Sequence, residues 1–204
     1  LGRCRREPLA GVLRDEQQAA EALTQLLVRR SLGKFLYAVR ALRDLEHRRI
    51  GVAELAALPP GMDSFYLDAF DRRFARAGRD YAGARRVLGV LAAAREPLPA
   101  ATVATVLGVA EAEVKAVHKA LPDFLRLRGG KLAFDHFSMA EWLTRDDDDG
   151  FARAGDYAVD MPASQAALRA WALREVAAGV AHRSAYLLRH LAFHLASDDE
   201  RRRV

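Results

Sequence analysis

The stretch FLRLRGGKLAF, Phe124 to Phe134, constrains the fold more than any other part of the chain. Two short strand-like runs flank Gly129-Gly130, and a two-residue hairpin turn needs positive φ at its central positions, which glycine adopts without steric cost. The spacing predicts a β-hairpin. What precedes it is helical. Val87, Leu88, Val90 and Leu91 mark a helix that ends at Glu96-Pro97, a short helix covers Ala100 to Leu107, Gly108 turns the chain, and another helix runs from Ala110 to Leu121. Helix, short helix, glycine turn, helix and hairpin, in that order, make a winged helix.

The flanks read as helix too. From Glu16 to about Arg48 apolar residues recur three and four apart, which fits two helices with a break near Ser31-Leu32-Gly33. Leu58-Pro59-Pro60-Gly61 interrupts the chain, and Asp63 or Ser64 is expected to cap a helix that carries Phe65, Tyr66, Phe70 and Phe74. Beyond Thr144, Asp146 to Asp149 and Gly150 form an acidic loop or linker. The helical period then returns from Ser164 to His194, divided near Gly179. The expected fold class is mainly α, with a helical segment over 1–80, a winged helix with a small hairpin over 81–145 and a C-terminal helical region over 151–204.

Several function classes recede on composition. The first residue is Leu and the last four are Arg201, Arg202, Arg203 and Val204, which suggests an excerpt from a longer protein. No window reaches about 18 uninterrupted apolar residues, so no membrane partner is expected. The single cysteine, Cys4, excludes an internal disulfide and a cysteine-based zinc site and suits a reducing compartment, so a cytoplasmic location is expected. The net charge of +5 rests on 28 Arg and 4 Lys scattered among 27 acidic residues. A nucleic-acid footprint needs such charge gathered on one face.

The motifs narrow the field further. The helix from Ala110 to Leu121 would enter a DNA major groove, yet Glu111 and Glu113 offset Lys115 and Lys119, and it carries no Asn, Gln or Arg to read bases, so DNA is not the expected partner. A winged-helix DNA regulator and a helical interaction scaffold stand as alternatives to the main reading. His190 and His194 have the i, i+4 spacing of a metal pair, but a zinc hydrolase's glutamate is missing between them and no third ligand is evident. They read as packing or surface histidines, and no metal is expected. Ser138 beside His136 lacks an oxyanion-forming glycine turn, and Asp135 and Glu141 form no dyad with His136. Neither Gly33-Lys34 nor Gly130-Lys131 completes a phosphate-binding loop, so no catalytic residue and no bound cofactor is expected of this chain alone.

Four stretches in order carry a resemblance: LGKFLYA from Leu32, LPPGM from Leu58 leading to Phe65-Tyr66, VLAAAREPL from Val90 and FDHFSMAEWL from Phe134. Together, across roughly Ser31 to Leu195, they resemble the region that follows the ATPase core in STAND-class NTPases of the NACHT type. The resemblance implies a nucleotide-dependent signalling switch in which residues 31–78 are lid-like, 81–144 form the winged helix, and 185–195 lead towards helical or WD-type repeats. It also implies an upstream NTPase core and downstream repeats as partners in cis, ADP or ATP with Mg in the parent protein, and self-association on activation. His136 matches the winged-helix histidine that reaches the ADP phosphates in that family and keeps the switch closed. The carry-over stops there, because Lys34 stands where the family usually has Asn and Asp135-His136-Phe137 replaces its Met-His-Asp triplet.

Overall fold

The computed structural model describes residues 20–146, 153–179 and 184–195. The chain divides into two compact units, Leu1–Arg72 and Arg73–Val204. It is mainly helical, with a small three-stranded antiparallel sheet.

In the first unit, α1 (Ala20–Ser31) and α2 (Phe35–Glu46) are separated by Leu32 at φ 48° and Gly33 at φ 77°, and are followed by α3 (Val52–Ala57) and α4 (Met62–Arg73). Buried residues fall three and four apart: Leu23, Leu26 and Leu27 on α1, Tyr37, Ala41 and Leu45 on α2, Phe65, Tyr66, Ala69 and Phe70 on α4. The Tyr37 and Phe65 rings meet edge to face at 5.5 Å. Asp44, buried on α2, is neutralised by Arg49 at 3.3 Å and Arg72 at 3.0 Å, and Arg72 also reaches Asp68 at 3.1 Å. A buried carboxylate without such partners would be strongly destabilising. Neither Asp63 nor Ser64 starts α4, contrary to the expectation from sequence. The helix begins one residue earlier, and the Ser64 hydroxyl donates back to the carbonyls of Pro59 and Pro60 at 2.8 and 3.1 Å.

The second unit opens with Phe74, Tyr81 and Tyr157 packed ring on ring, and the Tyr81 hydroxyl donates to the Tyr157 carbonyl at 2.7 Å. Then come α5 (Ala82–Ala93), β1 (Leu98–Pro99), α6 (Ala100–Leu107), α7 (Glu111–Ala120), β2 (Leu125–Arg128), β3 (Lys131–Phe134) and α8 (Phe137–Thr144). The sheet order is β1-β3-β2, with Leu98 opposite Leu132 and Leu125 opposite Phe134. This is the winged-helix topology. Gly108 caps α6 in the left-handed region at φ 65°, and Gly129 and Gly130 turn the hairpin at φ 55° and 75°.

After a 3₁₀ turn at Gly155–Tyr157 come α9 (Met161–Ala177), capped by the Asp160 carboxylate, and α10 (Ala185–His194), capped by the Ser184 hydroxyl. Helix α9 lies against α5 at Gly89, where a Cβ would sit 2.2 Å from the Ser164 Oγ. A side chain there would displace the Ser164 hydroxyl from its 2.6 Å hydrogen bond to the Asp160 carbonyl.

Candidate functional site

His136 occupies the exit from the wing. Its backbone is extended at φ −146° and ψ 143°, the conformation of a residue that caps a helix, and α8 follows at once. That helix is fixed from below, since Met139, Trp142 and Leu143 present one buried face at i, i+3 and i+4, with Trp142 fully enclosed. On the strand side, the Asp135 N–H donates to the Phe124 carbonyl at 2.8 Å and the Asp135 carboxylate accepts from Arg126 Nε at 2.8 Å. The residue before His136 and the helix after it are therefore both tied down.

The ring itself is half-buried and partly committed. Nδ1 accepts the Ser138 backbone N–H at 3.2 Å and lies 2.8 Å from the Ser138 hydroxyl. A ring nitrogen that accepts a backbone N–H cannot carry the proton in neutral imidazole, so the network assigns the proton to Nε2. Among the described residues Nε2 has no hydrogen-bond partner. Phe137, two-thirds exposed, packs beside the ring at 4.6 Å with the two planes tilted by 35°. The site is thus one helix cap combined with one outward-available N–H donor. The flanking carboxylates do not act on it: Asp135 is paired with Arg126, and Glu141 with Arg145 at 2.9 Å. On α7 the charges pair internally, Lys115 with Glu111 at 2.7 Å.

A second cluster joins α10 to the segment after α5. Tyr186, His190 and His194 share one face of α10, with the Tyr186 ring 5.1 Å from His190 and 5.6 Å from His194. The Arg95 backbone N–H donates to the Tyr186 hydroxyl at 3.1 Å, and that hydroxyl in turn lies 2.8 Å from His194 Nε2. Glu96 gathers the Arg189 guanidinium, Lys131 Nζ at 3.8 Å and His190 Nε2 at 3.5 Å. The Arg189 hydrogen bond, more than any other influence, holds the Glu96 carboxyl below its usual range. Burial, then His190 and Arg95, lower the His194 pKa. The i, i+4 histidines therefore face a tyrosine and a glutamate, and among the described residues no group of three potential metal ligands occurs.

The chain matches no protein-family model, no curated protein and no solved structure. No described helix is long and apolar enough to cross a membrane.

Sequence reading singled out His136 because it stands at a strand-to-helix junction. It did not single out Tyr186, Arg95 or Glu96. The one available signal was the Tyr186, His190, His194 spacing, which marks a shared helix face and says nothing of what lies opposite.

Proposed function

We infer that this chain is a regulatory module of a nucleotide-switched signalling NTPase of the STAND class, NACHT type, with the winged helix holding an ADP-bound core closed. The observation that carries the reading is the state of His136: Nδ1 is consumed by the cap, which leaves Nε2–H as a fixed donor on a rigid junction. Such a donor suits a phosphate oxygen presented by another domain. His136 is the residue of this chain that would hold the nucleotide phosphates, and the nucleotide with its Mg would supply the charge that distinguishes the closed state from the open one. A hydrogen bond of this kind contributes about 1.5 to 3 kcal/mol and biases a two-state equilibrium by roughly ten- to a hundredfold. The contact exists only while the winged helix is folded against the core, so its loss favours an open form able to self-associate. The module catalyses nothing itself.

The test is the ADP dissociation rate of the intact protein. His136→Asn keeps an acceptor for the Ser138 N–H and removes the Nε2 donor, so faster ADP release and readier oligomerisation are expected. An unchanged off-rate and an unchanged oligomeric state would discard the sensor role. Absence of a P-loop and Walker B strand in the coding region upstream of Leu1 would discard the whole reading.

A further inference from the structure

Helix α10 is held to the rest of its unit by few side chains. Tyr186, Leu187 and His194 are buried, whereas Leu188 and Phe193 stand two-thirds exposed. Helices shorter than about 12 to 15 residues are marginal alone in water, so this ten-residue segment is helical because it is docked. Its polar contacts with earlier elements, among the described residues, fall on two consecutive residues, Arg95 and Glu96. The Arg95 backbone N–H donates to the Tyr186 hydroxyl at 3.1 Å, and the Arg95 guanidinium lies over the Phe193 ring, 4.4 Å from the centroid. The Glu96 carboxylate accepts from Arg189 and lies 3.5 Å from His190 Nε2.

This latch stands directly before β1. Leu98, fully buried, pairs with Leu132 of the wing strand β3, and Pro99 pairs with Lys131. Pro97, between the latch and the strand, has a fixed φ and disfavours helical backbone at Glu96. Little of a displacement at Leu98 can therefore be absorbed before it reaches Glu96 and Arg95. Lys131 Nζ also comes within 3.8 Å of the same Glu96 carboxylate, a second tie from the wing.

We infer that Arg95, Glu96 and Pro97 couple α10 to the wing: closure of β1 on β3 positions the latch that docks α10, and docked α10 in turn holds β1 in the sheet. A partner or ligand that shifts the wing then frees α10 and uncovers Tyr186 and Leu187. Whatever pulls α10 away loosens the wing strand by the same free energy, because coupling between two sites is reciprocal. Helix α8 stays outside this unit, since the buried Trp142 anchors it separately. No residue of the latch is shared with His136, so the coupling stands or falls independently of the switch reading.

Native-state amide exchange of the full 204-residue chain tests this. Arg189→Gln removes a charge from the α10 side alone. It should quicken exchange along α10 about two- to fivefold, the usual range for a partly exposed ion pair, and quicken Leu98 and Leu132 by a similar factor, with α8 unchanged. Gly130→Val acts from the other side: the turn holds φ 75° there and an added Cβ meets nothing within 4 Å beyond its chain neighbours, so only the hairpin is strained. It should quicken the wing about five- to thirtyfold and α10 about twofold or more. Gly130→Ala applies a milder strain if the valine variant does not fold. Arg174→Gln, which removes the same charge from the exposed side of α9, should change none of these rates. An α10 that does not respond to Arg189→Gln would overturn the latch. Leu98 and Leu132 unmoved while α10 quickens, α10 unmoved while the wing opens, α8 quickening as much as α10 in Arg189→Gln, or equal changes in Arg174→Gln would each overturn the coupling.

Discussion

His136 and His194 each have one ring nitrogen occupied, yet they end in opposite tautomers. At the wing exit, Nδ1 accepts from the backbone N–H two residues on, so the proton is assigned to Nε2. At the end of α10, Nε2 lies 2.8 Å from the hydroxyl of a tyrosine eight residues earlier; that oxygen already accepts the Arg95 N–H, so its own proton is assigned to the bond with Nε2 and the ring proton to Nδ1. The first arrangement is made within a single helical turn. The second exists only once α10 has docked. A histidine's chemistry is thus set by whatever satisfies its other nitrogen, and that choice can be local or tertiary. The chain has two tryptophans, and they divide between the two regions: Trp142 anchors the helix that His136 caps, and Trp171 lies 6.0 Å from Tyr186.

The largest effect should come from breaking the wing side at its anchor. Trp142→Ala removes a fully buried ring and should destabilise the second unit by about 3 to 5 kcal/mol, the usual range for aromatic truncation in a core. Denaturant unfolding followed at Trp171 measures it. A loss below about 1 kcal/mol would mean that α8 is not held by this residue. The tertiary side has its own break. Tyr186→Phe leaves the Arg95 N–H and His194 Nε2 without their shared partner and should cost about 1 to 3 kcal/mol. Amide exchange should then quicken along α10 while α8 stays protected. Equal loss of protection in both helices would show that the two regions open as one.

These two sides also differ in how far they could be read from sequence. The hairpin, the helix-turn-helix order and the break between α1 and α2 were legible because glycines mark them locally and the apolar period runs between them. Strand β1 was not, since Leu98-Pro99 is too short to show alternation and is defined only by its pairing with Lys131 and Leu132. The expected cap at Asp63 or Ser64 failed because α4 already begins at Met62, which puts both residues inside its first turn, where the Ser64 hydroxyl donates to earlier carbonyls. His136 was legible because both the strand that delivers it and the helix it caps lie within a few residues. The α10 cluster was not: Arg95 and Glu96 come from a segment about ninety residues before Tyr186 and His194, and no periodicity relates them.

A pH titration should separate the two histidines. His194 is held below its ordinary value of 6.5, so below that pH the unfolded chain takes up a proton that the folded chain resists. Stability is therefore expected to be greatest above about 6.5 and to fall as pH drops from there towards the depressed value. Glu96, lowered from 4.5, contributes in the same direction at more acid pH: its stabilisation is present above 4.5 and lost as pH falls through its folded value. Both losses belong to α10 and its contacts. Trp171 fluorescence in a Trp142→Phe background should follow the first of them. In Tyr186→Phe the hydroxyl that accepts from Arg95 and donates to His194 is gone, and the transition should move. A transition unchanged in that variant would remove His194 as its source.

The smallest effect is the most informative about His136. An acceptor at the N-cap contributes about 0.5 to 2 kcal/mol relative to alanine, and asparagine is among the best residues there. His136→Ala should therefore lower thermal stability slightly, and His136→Asn should restore it, because the Asn carboxamide oxygen can accept the Ser138 N–H that Nδ1 accepts in the native chain. If both substitutions destabilise equally, Nδ1 is not the cap and the assignment of the proton to Nε2 loses its basis. If only alanine does, capping and donation are separable properties of one ring. A stable His136→Asn protein that still releases ADP faster would then have lost only the outward N–H, which is the single group that distinguishes a switch from a cap.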